Sequence, residues 1–128
     1  MTIREAIDRV DRLKPNSFTT EEKIAWLSDL DGMVYRELIC THKRPEGMEE
    51  MTFDGYREYT DMGTQLLVPA PYSDVYQHYM AAQIDLGNAE LVKYNNDSLL
   101  YNNAYATYSD YYTRTHMPLD KGIRHIRL

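Results

Sequence analysis

Residues 19–40, TTEEKIAWLSDLDGMVYRELIC, decide the fold of this chain. Their apolar residues recur every three or four positions, which is the spacing of one face of an amphipathic helix; these are Ile24, Leu27, Leu30, Val34, Leu38 and Ile39. Thr19 and Glu22 have the spacing of a capping box, which predicts that a helix begins near residue 20. Pro45 and Gly47 follow the stretch and break the pattern. We therefore expect a helix over residues 20–40.

Residues 28–33 within this stretch read SDLDGM, and Asp-x-Asp-Gly resembles the catalytic loop of haloacid-dehalogenase-like phosphatases. In that family the first Asp is the nucleophile, the second is a general acid and base, and Mg²⁺ shields their charge. Here Asp29 and Asp31 fall inside the predicted helix, and Met33 stands where the family normally carries a hydroxyl. We interpret both carboxylates as solvated charges, so a phosphatase is the least favoured function.

The composition predicts one domain with an acidic body. The chain has 128 residues, 43% of them hydrophobic, and a formal charge of −6, which argues against general affinity for nucleic acid or anionic membranes. Residues 113–128 carry a formal charge of +3, which leaves −9 for residues 1–112. Cys40 is the only cysteine and fits a reducing compartment. Because the sequence contains no apolar leader and no membrane-spanning run, we expect a cytosolic protein.

Three further helices are expected, over residues 2–13, 72–94 and 97–115, so the fold class is a mostly α bundle of about four helices. Residues 80–112 carry a heptad series rich in tyrosine. Asn95 and Asn96 favour a break between the last two helices, although one continuous helix is the alternative. The chain has twelve tyrosines, and the members Tyr101, Tyr105 and Tyr108 are candidates for an interface, with ordinary core packing as the alternative.

Residues 41–71 form a long irregular segment that either binds a partner or packs over the helices. Residues 51–53 and 65–68 are candidates for the strands of a small β-hairpin. The helical domain is expected to span residues 1–118. Residues 119–128 form an extended basic tail with strand-like alternation, which either joins the hairpin or is donated to another chain. In this tail we expect four residues to contact an acidic partner, namely Arg124, His125, Ile126 and Arg127.

Known site chemistry is not recognisable in the sequence. Cys40 and His42 could provide two metal ligands, but no second pair completes a zinc site. No phosphate-binding loop or nucleophile motif is present. The first two helices have the order of a helix-turn-helix module, yet the second is acidic and would repel phosphates. We expect no enzyme activity, no metal and no cofactor.

Residues 66–118 and the opening residues 2–32 resemble small proteins of Gram-positive phages and prophages, in the head–tail connector, or head-completion adaptor, family of long-tailed phages. The landmarks of the resemblance are structural: Pro15-Asn16, Trp26-Leu27, Val68-Pro69-x-Pro71-Tyr72, Asn95-Asn96 and His116-Met117-Pro118.

This resemblance implies a mostly helical subunit that assembles as a ring on the portal protein after DNA packaging and then receives the tail. The implied partners are copies of the chain, the portal, and the neck and tail-completion proteins, without sequence-specific nucleic acid or membrane. The implied location is the cytoplasm of the bacterial host, and then the neck of the virion. A DNA-contacting regulator and a generic helical adaptor encoded by a prophage are the alternatives.

Overall fold

The computed structural model describes residues 1–45, 47–48 and 51–119. Four α-helices and one π-helical turn make up its regular structure: α1 (Ile3–Leu13), α2 (Thr20–Val34), the π turn (Tyr35–Ile39), α3 (Asp74–Gly87) and α4 (Leu91–Thr115). Side chains from all of these elements, and from the segment between the π turn and α3, share one hydrophobic core. The predicted mostly α bundle is confirmed.

The first turn of α1 is completed by a distant part of the chain. Thr2 caps this helix through a reciprocal capping box with Glu5. The N–H of Ile3, which has no acceptor inside the helix, donates to the carbonyl oxygen of Thr64 at 3.1 Å. The segment before α3 therefore fixes where the N-terminal helix begins.

The second helix follows the sequence prediction closely. Thr19 and Glu22 form the predicted capping box, and the predicted apolar stripe is buried along α2 and the π turn. In that turn the N–H of Cys40 donates to the carbonyl oxygen of Tyr35, five residues earlier, at 2.9 Å. The predicted helix over residues 20–40 is one helical segment whose last turn is widened to π spacing.

The last two helices form an antiparallel hairpin with a three-residue connection, residues 88–90. Ala89 in this turn has a φ of 58°. The predicted break at Asn95 and Asn96 is wrong, and so is the alternative of one continuous helix. Both asparagines lie on the exposed side of α4, where a residue of low helix propensity costs only a few tenths of a kcal/mol.

Gly87 is the last residue of α3, and the ring of Phe18 occupies the space that a side chain at this position would need. A Cβ atom at this position would lie 2.4 Å from Cζ of Phe18. The Phe18 ring also packs edge-on against Trp26, with centroids 5.3 Å apart. Gly87 interrupts the heptad series of the sequence. Its missing side chain lets Phe18, between α1 and α2, pack on α3.

The segment between the π turn and α3 packs over the helices, which was one of the two alternatives that the sequence left open for residues 41–71. Tyr56, Leu66 and Val68 are buried in the core. The candidate β-hairpin is wrong for the described residues: Gln65 forms an isolated bridge with Thr2 instead of pairing with residues 51–53. The N-terminal chain competes successfully for this edge because the first turn of α1 needs acceptors for its N–H groups.

Asp31 is fully buried and joins three parts of the fold. Its carboxylate accepts hydrogen bonds from the Tyr76 hydroxyl of α3 at 2.6 Å, the Tyr56 hydroxyl at 2.5 Å and the Leu67 N–H at 3.0 Å. The Tyr76 hydroxyl in turn accepts from the N–H of Val68 at 2.7 Å. Burial raises the pKa of Asp31, and the three donors act against that rise.

The interpretation of Asp31 as a solvated charge is therefore wrong, whereas Asp29 is exposed as expected. Both lie in a helix rather than after a strand, as the sequence pattern predicted. The side chain of Asp31 points inward because the buried hydroxyls of Tyr56 and Tyr76 require an acceptor there.

We predict that Asp31→Asn lowers the free energy of unfolding by about 1–3 kcal/mol, because the amide nitrogen cannot accept a hydrogen bond and leaves a buried donor without its partner. Urea unfolding of the variant measures the loss. Asp29→Asn is the matched control and should change stability by less than about 0.5 kcal/mol. Equal stability of the two variants would contradict the proposed role of the buried carboxylate.

Candidate functional site

The inward side of α4 carries a row of tyrosines packed on α3. Tyr108 is buried, whereas Tyr101 and Tyr105 are half-buried. Tyr101 lies 5.1 Å from the ring of Tyr79, and Tyr108 lies 5.5 Å from that of Tyr72. Within one chain these rings are core or core edge, and their burial in an interface stays a prediction.

Tyr105, a half-buried member of this row, also makes a hydrogen bond to the π turn. The Tyr105 hydroxyl donates to Oε1 of Glu37, on the π turn, at 2.7 Å. Burial, and then this carboxylate, raise the pKa of Tyr105. Burial is also the main cause that raises the pKa of six other tyrosines, with Tyr108 reaching about 12; the others are Tyr56, Tyr76, Tyr79, Tyr101 and Tyr112.

These tyrosines predict an alkaline unfolding transition. An unfolded tyrosine loses its proton near pH 10, whereas the folded protein retains the proton on the seven affected rings. The unfolded state therefore binds fewer protons, and stability falls as the pH rises above about 10.

The near-ultraviolet absorbance of tyrosinate, followed together with helical circular dichroism, measures this transition. We expect the late-titrating tyrosines to ionise only as helical signal is lost. The chain in denaturant provides the control, in which all twelve tyrosines titrate together. Complete ionisation with retained helix would contradict the burial described above.

The outward side of α4 carries a second repeat, which our sequence analysis missed. Residues 94–96 and 101–103 both read Tyr-Asn-Asn, and the tyrosine recurs at Tyr108. Seven residues also separate Val92, Leu99 and Ala106, all of which are exposed. Because every seventh residue falls on nearly the same side of a helix, the asparagine pairs and these apolar residues share one outward face.

This outward face is uncharged. Between Lys93 and Asp110 the only charged residue of α4 is Asp97. Its carboxylate lies 2.9 Å from Nζ of Lys14, the residue that follows α1. Lys93 at the edge of the face is paired with Glu90 at 2.6 Å. We name this surface, comprising residues 92, 95, 96, 99, 102, 103 and 106, the neutral face of α4.

Behind the neutral face, two carboxylates share one ammonium group. Lys14 Nζ lies 2.6 Å from Oδ1 of Asp85 and 2.9 Å from Oδ2 of Asp97. The Asp85 side chain is 1% exposed, and its Oδ2 has no hydrogen-bond partner. Burial raises the pKa of Asp85, whereas the ammonium group of Lys14 acts against that rise. The shared ammonium group of Lys14 ties α1, α3 and α4 together.

We predict that Asp85→Asn retains more of the free energy of unfolding at pH 7 than Asp85→Leu does. The amide oxygen of Asn can still accept a hydrogen bond from Lys14. Asp85→Leu has similar volume but removes the acceptor, so it should destabilise the fold by about 1–3 kcal/mol. Urea unfolding compares the two. A loss in Asp85→Asn as large as in Asp85→Leu would contradict the role of Asp85 as the hydrogen-bond acceptor for Lys14.

The candidate metal ligands have other partners. Nδ1 of His42 lies 2.8 Å from the carbonyl oxygen of Leu38, and its ring packs edge-on against Tyr112. The Sγ of Cys40 accepts from Arg44 at 3.6 Å. Within the described residues, histidine, cysteine and carboxylate side chains form no cluster of three that could hold a metal ion. None of the described helices is both long and apolar enough to cross a bilayer.

The predicted contact residues of the tail, Arg124, His125, Ile126 and Arg127, lie outside the described residues. Leu119 is attached to the bundle, since its N–H donates to the carbonyl oxygen of Thr41 at 3.2 Å. A cleft of about 420 Å³ lies between the π turn, the segment before α3 and the end of α4. Its lining includes Met48, Met51, Leu67, Pro69 and Tyr111.

The chain matches no protein-family model, and no curated protein or solved structure matches it significantly. Its function must therefore be argued from the surfaces just described.

Proposed function

We propose that this chain is a structural subunit of a phage or prophage head–tail connector, which assembles on the portal protein and joins the head to the tail. The connector assignment rests on the resemblance of residues 2–32 and 66–118, and the observation that supports assembly with another protein is the neutral face of α4. Cores of protein interfaces are depleted in charged residues, and an acidic chain that keeps one long helix face free of charge offers a surface for another protein.

Two further features support a structural role. The compact helical bundle has several long-range anchors, and its ionisable clusters are engaged in holding the helices. Asp31, Lys14 and Asp85 all have partners that belong to other elements. A ring requires each subunit to present two different patches. The neutral face is one candidate patch, and residues 113–128 of the sequence, with a formal charge of +3, differ from it in chemistry.

Electron microscopy of phage particles tests the proposal. An inducible lysogen that carries the gene is compared with one in which the gene is deleted. Without the gene we expect filled or leaking heads beside unattached tails, because the head–tail junction cannot form. Supplying the intact gene should restore whole particles.

A gene copy with an early stop codon is the control, and it should fail to restore the particles. Normal particles in the deletion strain would contradict the connector function. That result would direct attention to the alternative of a DNA-contacting regulator, whose duplex binding should weaken steeply with salt.

A further inference from the structure

We propose that the neutral face of α4 binds the same face of a second copy of this chain, with the two α4 helices antiparallel and the two Leu99 side chains at the centre of the contact. This inference goes beyond the connector function and does not depend on it.

The spacing of the face suits a partner helix. Val92, Leu99 and Ala106 recur every seven residues, which is the repeat of a seam between two helices. Val92 and Leu99 are 76% and 61% exposed in the single chain. An amphipathic surface helix normally places such residues toward its own core, and here that side is already filled by the tyrosine row. The outward repeat therefore lacks its partner within the described chain.

An antiparallel pair centred on Leu99 matches the residues of the face with one another. Val92 of each copy lies opposite Ala106 of the other, so a large apolar side chain meets a small one. Each asparagine also lies opposite an asparagine, with Asn95 opposite Asn103 and Asn96 opposite Asn102. An amide group both donates and accepts hydrogen bonds. Identical amide rows are therefore able to satisfy each other.

The charges at the ends of the face select the antiparallel direction. Asp110 continues the line of Val92 and Leu99 along α4, and it is exposed. In a parallel pair the two Asp110 carboxylates would lie opposite each other and repel. In the antiparallel pair the two Asp110 carboxylates lie at opposite ends of the contact. The opposed helix dipoles also favour this direction.

The negative charge of residues 1–112 restricts the approach of a second copy to an uncharged surface. The formal charge of −9 over residues 1–112 makes most approaches between two copies repulsive. The neutral face avoids this repulsion. It also carries no lysine or arginine on its central residues, so it has nothing to bind the phosphates of a nucleic acid.

The proposed contact buries a small area and joins only two copies of the chain. Residues 92–106 span about 21 Å of helix, at a rise of about 1.5 Å per residue, so one helix face covers less than the roughly 800 Å² per partner of a standard interface. A weak, reversible pair is therefore expected. An identical patch on both copies closes on two subunits and cannot extend. In a ring the face would have to exchange this contact for another.

Disulfide trapping tests the pair in the full chain. With Cys40→Ser as the background, Leu99→Cys places two thiols opposite each other at the centre of the contact. Oxidation at a protein concentration on the order of 0.1 mM, chosen because a small interface is weak, should yield covalent dimers. Val92→Cys alone should yield few, whereas Val92→Cys combined with Ala106→Cys should yield many.

Leu13→Cys is the matched control, because Leu13 is also 61% exposed but lies on α1. If Leu99→Cys gives no more dimer than this control, the proposal is overturned. Efficient dimers from Val92→Cys alone would also overturn it, since they require parallel helices. Sedimentation equilibrium provides a second measurement without added thiols. Leu99→Glu should weaken self-association at least tenfold, Leu13→Glu should not, and equal effects would count against the neutral face.

Discussion

The fold depends on one buried carboxylate. Asp31 has no contact with water and accepts hydrogen bonds from α3 and from two points of the segment that precedes it. Apolar packing alone would leave the path of that segment poorly specified, because hydrophobic contact has no direction. The carboxylate supplies direction, since each donor must approach one of its two oxygens with defined geometry. The carboxylate therefore fixes one path for the segment between the π turn and α3.

Helix starts and buried helix faces could be predicted from the sequence because they depend on residues three or four positions apart. Contacts with partners far away in the sequence could not. The capping box at Thr19 and the apolar stripe of α2 follow from neighbours three or four residues apart, so both could be predicted. The burial of Asp31 depends on Tyr56 and Tyr76, which lie 25 and 45 residues away. The acceptor for Ile3 lies on Thr64, and this pairing excluded the expected hairpin. Nothing in the local pattern signals either partner.

The candidate surface could have been predicted better from the sequence than it was. The repeated Tyr-Asn-Asn triplets in α4 were visible, but the asparagines suggested a helix break and the tyrosines drew attention to the other side. The two sides of α4 share one heptad period and differ in chemistry, with aromatic rings inward and amides with aliphatic residues outward. Only the packing of α3 on the tyrosines distinguishes the occupied side from the vacant one. Residue spacing alone cannot make that distinction.

The anchoring of α1 has a consequence for synthesis of the chain. Its first turn needs the carbonyl oxygen of Thr64, and its last turn is held through Lys14 by Asp85 and Asp97. A nascent chain emerges from its N-terminus, so α1 leaves the ribosome long before either anchor exists. Contacts of such sequence separation form slowly because a long loop must close first. Of the four helices α1 is translated before the others, yet it is fully secured only after residues 64, 85 and 97 have been made, and its apolar side stays open to chaperones until then.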